Sequence, residues 1–209
     1  MVDGHEKKCI VVDLDGTLID GNSLHLLMKW MIHVLSLSCK LSICSVAIKR
    51  LLNIVSHIEM KREIIRMSES RLTDDDIMAF VKCLKGFVSE DVMARIISYS
   101  NQGYKIILAT AAPDIYVAPS VSLLDFDGYV ASDTDKLIKC REEMRGLAKG
   151  ECAEAYANER NWKISVVMTD HEDDIPLLRM HDIKRILVRP TKKLQDMLNQ
   201  EGLIYETII

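Results

Sequence analysis

Asp13 and Asp15 stand one residue apart in the run Asp13-Leu14-Asp15-Gly16-Thr17. Two carboxylates this close repel, so they need a shared proton or a cation. A hard divalent ion with oxygen ligands, magnesium above all, is the natural partner. Gly16 permits a tight turn directly after them. The same residues would also serve as a plain surface turn or helix cap. Thr110-Ala111-Ala112-Pro113 sets a hydroxyl and free backbone N–H groups before a helix that Pro113 would begin. That arrangement suits a phosphate oxygen, although Thr is also a common N-cap. Lys149 could neutralise a phosphate or a nucleophilic carboxylate; taken alone it reads as an ordinary surface lysine. Asp170 and Asp174 lie four residues apart at 170–174. An acidic helix cap is the plainer reading of that pair, and Asp173 breaks the four-residue spacing.

Three of these clusters follow segments that read as strands. Cys9-Ile10-Val11-Val12 is a short apolar run closed by acid and glycine. That is the pattern of a buried parallel strand at its carboxyl end. Residues 105–109, 164–168 and 185–188 read likewise, with helical patterns between them. Alternation of this kind predicts an α/β fold with a parallel sheet covered on both faces. Right-handed crossovers then bring every strand's carboxyl end to one edge, where ligands bind in such sheets. From about Asn22 to Gly86 no strand is expected. Leu24, Leu27, Met28, Met31 and Leu35 recur at helical spacing, as do Ile48, Leu51, Leu52 and Val55. Thr73, followed by Asp74, Asp75 and Asp76, predicts the start of a helix running to about Lys85. A helical insert therefore follows the first strand and would sit above the active edge as a lid.

The chain has 209 residues, 48% hydrophobic and 28% charged, which is a globular rather than a disordered composition. Its net charge is -4, with basic residues scattered. That excludes the basic stripe a nucleic-acid surface needs. The 6 Cys form no C-x-x-C pair and read as free thiols, packed as small hydrophobes, in a reducing compartment. No secretory leader is read at the N-terminus. The apolar stretch 30–48 is interrupted by Lys40 and diluted by His33 and four serines, so no membrane-spanning helix is expected. The expectation is a cytoplasmic protein without stable membrane insertion; peripheral membrane association and a homodimer stay open. His25, His33 and His57 read as ordinary residues of the helical insert.

Taken in order, Asp13-x-Asp15-Gly16-Thr17, Thr110, Lys149 and Asp170-x-x-x-Asp174 resemble the four motifs of the haloacid dehalogenase superfamily, which is mostly phosphatases. Ala112-Pro113-Asp114-Ile115-Tyr116 and Asp174-Ile175-Pro176-Leu177-Leu178 are similar to its phosphoserine-phosphatase-like branch. So is Val188-Arg189-Pro190 before a final helix and strand. The resemblance covers residues 9–209. It implies a Rossmann-like parallel-sheet core at 1–20 and 87–209, with an inserted all-helical cap domain at 21–86.

The same resemblance implies a magnesium-dependent phosphomonoester hydrolase that works through an aspartyl phosphate on a small-molecule phosphate ester. On that basis Asp13 is the nucleophile, and Asp15 is first the acid and then the base. Magnesium would be held by Asp13, by the backbone carbonyl of Asp15, and by Asp170. Thr110, the Ala111 N–H and Lys149 would bind the phosphoryl oxygens, and Asp174 would orient Lys149 or a metal-bound water. Thr169 and His171 depart from the small residues usual beside the metal. Asn22 stands where phosphoserine phosphatases carry the Glu that holds the substrate amine, which counts against phosphoserine. The apolar stretches near 30–35 and 41–48 suggest an apolar or lipid-type phosphate, or simply helices packed on each other. Phosphoserine phosphatase itself remains an alternative, as does a catalytically silent binding or regulatory protein on the same fold.

Overall fold

Cys9, Ile10, Val11 and Val12 are all buried, as a strand covered on both faces requires. They belong to β1 (Lys7–Val12) in a computed structural model that describes residues 6–209. There follow α1 (Ser23–Val34), α2 (Leu37–Leu51), α3 (His57–Arg71), α4 (Asp74–Lys85) and α5 (Glu90–Asn101). The second strand, β2 (Lys105–Pro113), leads through α6 (Asp114–Leu124), β3 (Gly128–Ser132), α7 (Thr134–Cys140) and α8 (Leu147–Asn158) to β4 (Trp162–Thr169). The chain closes with α9 (Ile175–Leu178), β5 (Lys184–Val188), α10 (Lys192–Gln200) and β6 (Glu206–Ile208).

The strands form one six-stranded sheet in the order β3-β2-β1-β4-β5-β6, with every neighbouring pair parallel. From β1 the chain goes to β2 on one side and later to β4 on the other. The strand order therefore reverses beside β1, which is where such sheets open a crevice for ligand. Strand periodicity sorts the core into two layers. Ile10, Val12, Ile106, Leu108, Met168 and Ile186 face one layer; Cys9, Val11, Ile107, Ala109, Val167 and Leu187 face the other.

The inserted helices share the first of these layers. Leu27, Met31, Ile64, Ile65 and Phe80 join Ile10 and Val12 in one continuous apolar cluster. Phe80 of α4 meets Tyr116 of α6 edge-on, with ring centroids 5.5 Å apart. Helix α4 starts where Thr73 predicts it. Thr73 and Asp76 cap each other's backbone N–H groups reciprocally, and the acids of the first turn complement the helix dipole. Of the range expected for the core, the first five residues lie outside those described. No helix among the described residues is long and apolar enough to cross a membrane.

Three expectations are corrected. Only Cys9 among the cysteines is buried; Cys44, Cys83, Cys140 and Cys152 are exposed and Cys39 is half-buried. The helical spacing of Ile48, Leu51 and Leu52 does not mark an inward face, because all three are exposed. Pro113 closes β2 with an extended backbone (ψ 142°), and α6 begins one residue later.

Candidate active site

Asp13 follows β1 directly, and its backbone N–H continues the sheet by bonding Met168 O at 3.0 Å. The chain then coils tightly: Leu18 N bonds Asp13 O at 3.2 Å and Gly16 N bonds Gly21 O at 2.9 Å. Gly16 sits at φ +78°, and a Cβ there would lie 2.2 Å from Asp170 Oδ2. Only glycine satisfies both conditions, so this turn and the end of β4 are fitted to each other. Thr17 Oγ1 donates to Asp170 Oδ1 at 3.2 Å. Arg189, just past β5, donates from Nη2 to Gly16 O at 3.0 Å and ties the third strand end to the same turn.

Asp15 is held by the helical insert. Its Oδ1 accepts from Ser23 N at 2.6 Å, at the first residue of α1. Ser23 Oγ in turn lies 3.0 Å from the hydroxyl of the buried Tyr116. Burial raises the Asp15 carboxyl above the ordinary range, while the Ser23 bonds act in the opposite direction. A shift in that direction makes the carboxyl hold a proton more readily, as a general acid needs.

Lys149 is not a surface lysine: it is 4% exposed. Its ammonium donates to Asp13 Oδ1 at 2.6 Å and to Asp174 Oδ2 at 3.0 Å, and lies 2.8 Å from Asp174 Oδ1. Burial alone would lower its pKa, but the charges of Asp13 and Asp174 outweigh that and raise it. Asp13 is raised, chiefly by burial. Thr169 is fully buried and donates from Oγ1 to Asp174 Oδ2 at 2.6 Å. It therefore serves the Lys149–Asp174 pair. His171 accepts from Asp173 N at 3.2 Å and caps the short turn Glu172–Asp174. Asp173 pairs with Arg145 at 2.6 Å instead of turning to Lys149.

The strand ends and the insert enclose a cavity of about 690 Å3 lined by Asp13, Asp15, Thr110, Ala111, Lys149, Asp170 and Asp174. Thus every candidate site residue read from the sequence borders one space. Thr110 Oγ1 accepts from Ala112 N at 3.0 Å, within the stretch where the register of β2 against β3 shifts between Ala109 and Pro113. Among the described residues no three His, Cys, Asp or Glu side chains gather into a ligand cage. Two carboxylates with a backbone carbonyl nevertheless suit a magnesium ion, which keeps several waters and needs no such cage. The residues fit that ion. Asp13 and Asp170 are both destabilised as anions, chiefly by burial, and Asp15's carboxylate is already engaged by Ser23, which leaves its carbonyl.

Several lining residues carry no motif. Lys61 of α3 is 5% exposed and donates to Ala111 O at 2.7 Å and to Glu143. His57, Asp20, Glu143 and Arg145 also line the space, as does Arg189 of the Val188-Arg189-Pro190 segment. The stretches 30–35 and 41–48 do not. Trp30 packs against Phe80 with the rings tilted by 56°, and Leu41 and Ile48 are exposed to solvent. What faces the cavity from the insert is mainly charged or polar.

The family model of haloacid dehalogenase-like hydrolases matches residues 10–179. No curated protein matches the chain. A protein of unknown function from Bordetella pertussis Tohama I superposes with a TM-score of 0.77 at 12% identity, over 98% of this chain and 99% of that one. A HAD-family hydrolase from Salmonella enterica serovar Typhi gives 0.66 at 14% identity, over 96% of this chain and 67% of that one. An apo phosphoserine phosphatase gives 0.63 at 17% identity, over 97% and 93%. At these identities the likeness is one of fold.

Proposed function

The chain belongs to the haloacid dehalogenase-like hydrolases, and from that premise we propose that it is a magnesium-dependent phosphomonoesterase acting through Asp13. The observation that carries this reading is the position of Asp13. It ends the strand beside which the sheet order reverses, 2.6 Å from a buried ammonium that Asp174 also holds. A carboxylate there can attack phosphorus while Lys149 gathers the charge of the phosphoryl oxygens. Attack forms the aspartyl phosphate and breaks the bond to the leaving oxygen, which takes its proton from Asp15. Asp15 then removes a proton from the water that hydrolyses the intermediate. Thr110 and the Ala111 N–H complete the phosphoryl cradle. Magnesium held by Asp13, the Asp15 carbonyl and Asp170 would neutralise phosphate charge, so that an anion can approach an anion.

We place the core at 1–20 and 87–209 and the cap at 21–86; the cap selects the leaving group. Asn22 offers no charge to a substrate amine, because its amide is neutral, and its Oδ1 is already occupied in capping α1, accepting from His25 N at 3.1 Å. Phosphoserine is thus expected to be a poor substrate. Lys61 paired with Glu143, Arg145 paired with Asp173, and His57 favour a leaving group with polar character.

The test is phosphate release from an aryl phosphate and from a panel of polar and lipid phosphomonoesters, with acid quench to trap protein-bound phosphate. Label on the wild type, and neither label nor turnover in Asp13→Asn, is expected. Turnover by purified Asp13→Asn would overturn the covalent mechanism. A folded, magnesium-binding wild type that hydrolyses nothing on the panel would favour the silent alternative.

A further inference from the structure

Helix α2 carries its apolar stripe on the outside. Leu37, Leu41, Cys44, Ile48 and Leu51 fall at i, i+4, i+7, i+11 and i+14, which is one face of a helix with 3.6 residues per turn. Ordinarily such a stripe faces a core. Here Leu37 is 72% exposed, Leu41 64%, Ile48 54% and Leu51 80%, and Cys44 is exposed as well. Ile43, away from the stripe, is the helix's one buried residue. Leu52 and Ile54 prolong the exposed apolar surface beyond the helix end. Patches of this extent mark interaction surfaces.

Charge says which kind. From residue 21 to 58 the sequence contains no Asp or Glu, although the chain holds 31 in all. The same segment carries Lys29, Lys40, Lys49 and Arg50. At 100° per residue Lys40 lies on one side of the stripe and Lys49 on the other. An apolar strip edged by cations, within an otherwise acidic protein, is complementary to apolar lipid chains beneath anionic headgroups. It is poorly matched to a second copy, since pairing α2 with α2 would bring like charges together with no acid in the segment to offset them.

We propose that the outer face of α2 docks the protein on an anionic lipid membrane, with the helix lying in the interfacial plane. The helix has 15 residues, and no helix among the described residues can cross a bilayer, so the contact is peripheral. The inference is independent of the catalytic reading, because no α2 residue lines the cavity.

Co-sedimentation of the full chain with phosphatidylcholine vesicles, with and without phosphatidylglycerol, tests it. Binding is expected to the anionic vesicles and to fall as salt is raised. Leu41→Glu/Leu51→Glu is expected to weaken it about tenfold or more. Lys40→Gln/Lys49→Gln should weaken it several-fold while leaving the apolar stripe intact. All four positions lie outside the buried core, and urea unfolding of each variant confirms that it folds. Anionic vesicles bound no better than neutral ones, or both variants bound as tightly as the wild type, would overturn the proposal. So would a concentration-dependent dimer in light scattering that Leu41→Glu/Leu51→Glu dissolves while vesicles bind nothing; the face would then belong to a second copy.

Discussion

Replacing Lys61 by Met removes an ammonium that pins α3 to the core while keeping most of the aliphatic stem. The nitrogen has two partners, Ala111 O at 2.7 Å and the Glu143 carboxylate. Ala111 O is not orphaned by the change, because Ser132 Oγ also donates to it, at 2.6 Å. The loss therefore falls on Glu143, whose side chain is 14% exposed. Stranding one member of a fully buried pair costs about 3–5 kcal/mol. The remaining access to water discounts this to about 2–3 kcal/mol for Lys61→Met. Glu143→Gln strands the ammonium instead and should cost about 2 kcal/mol. The double variant buries no charge and should cost only about 1–2 kcal/mol, chiefly lost hydrogen bonds. A coupling of about 2 kcal/mol or more follows, read from urea unfolding midpoints at unchanged m. Additive effects, within about 0.5 kcal/mol, would show that the two charges do not stabilise one another.

Gly16→Ala should destabilise by about 2–3 kcal/mol, from the left-handed backbone and the displacement of Asp170, and should lose turnover as well; unchanged unfolding and unchanged rate would refute the fit between the turn and Asp170. Excess chelator should stop phosphate release and magnesium should restore it, while calcium's larger, looser shell should inhibit; full turnover in chelator would exclude the metal. Burial pushes the Cys9 thiol up from 9.0 to about 12, so as pH rises the unfolded chain ionises first and stability is lost above about pH 9. The loss from this thiol should be about 1 kcal/mol between about pH 9 and 10, and Cys9→Ala should remove it. Equal slopes in the two proteins over that range would contradict the burial argument.

The core of the site was legible because its chemistry sits where strands end. Asp13 and Asp170 each close a run of β-branched or apolar residues, and a parallel sheet has one edge on which those ends meet. The start of α4 was legible for a local reason, a cap and an acidic first turn within four residues. Lys61 and Glu143 were not, because their partners are 82 residues apart in sequence and each alone looks like a surface charge. The role of Thr169 was hidden in the same way: its bulk suggested crowding at a metal, and its hydroxyl is used on Asp174. Strand β3, Gly128–Ser132, also meets an acid, Asp133, but it has only five residues and is half-buried at Tyr129 and Ala131, so its alternating pattern left no comparable mark. The stripe on α2 shows the limit of periodicity. Spacing reports that a helix has an apolar face but is blind to which way that face is turned.

The bond from Ser23 N to Asp15 makes the helical insert a party to proton transfer. Ser23 is the first residue of α1, so any tilt or withdrawal of that helix takes a hydrogen bond from the carboxylate and changes its affinity for a proton. On the roles proposed here, access and acidity are then a single variable. A leaving group that draws the insert down onto the strand ends also sets the carboxyl that must protonate it. A molecule too small to engage the insert would find the nucleophile in place and the acid mistuned. Discrimination would then appear in the rate of bond cleavage rather than in how tightly the phosphate is held.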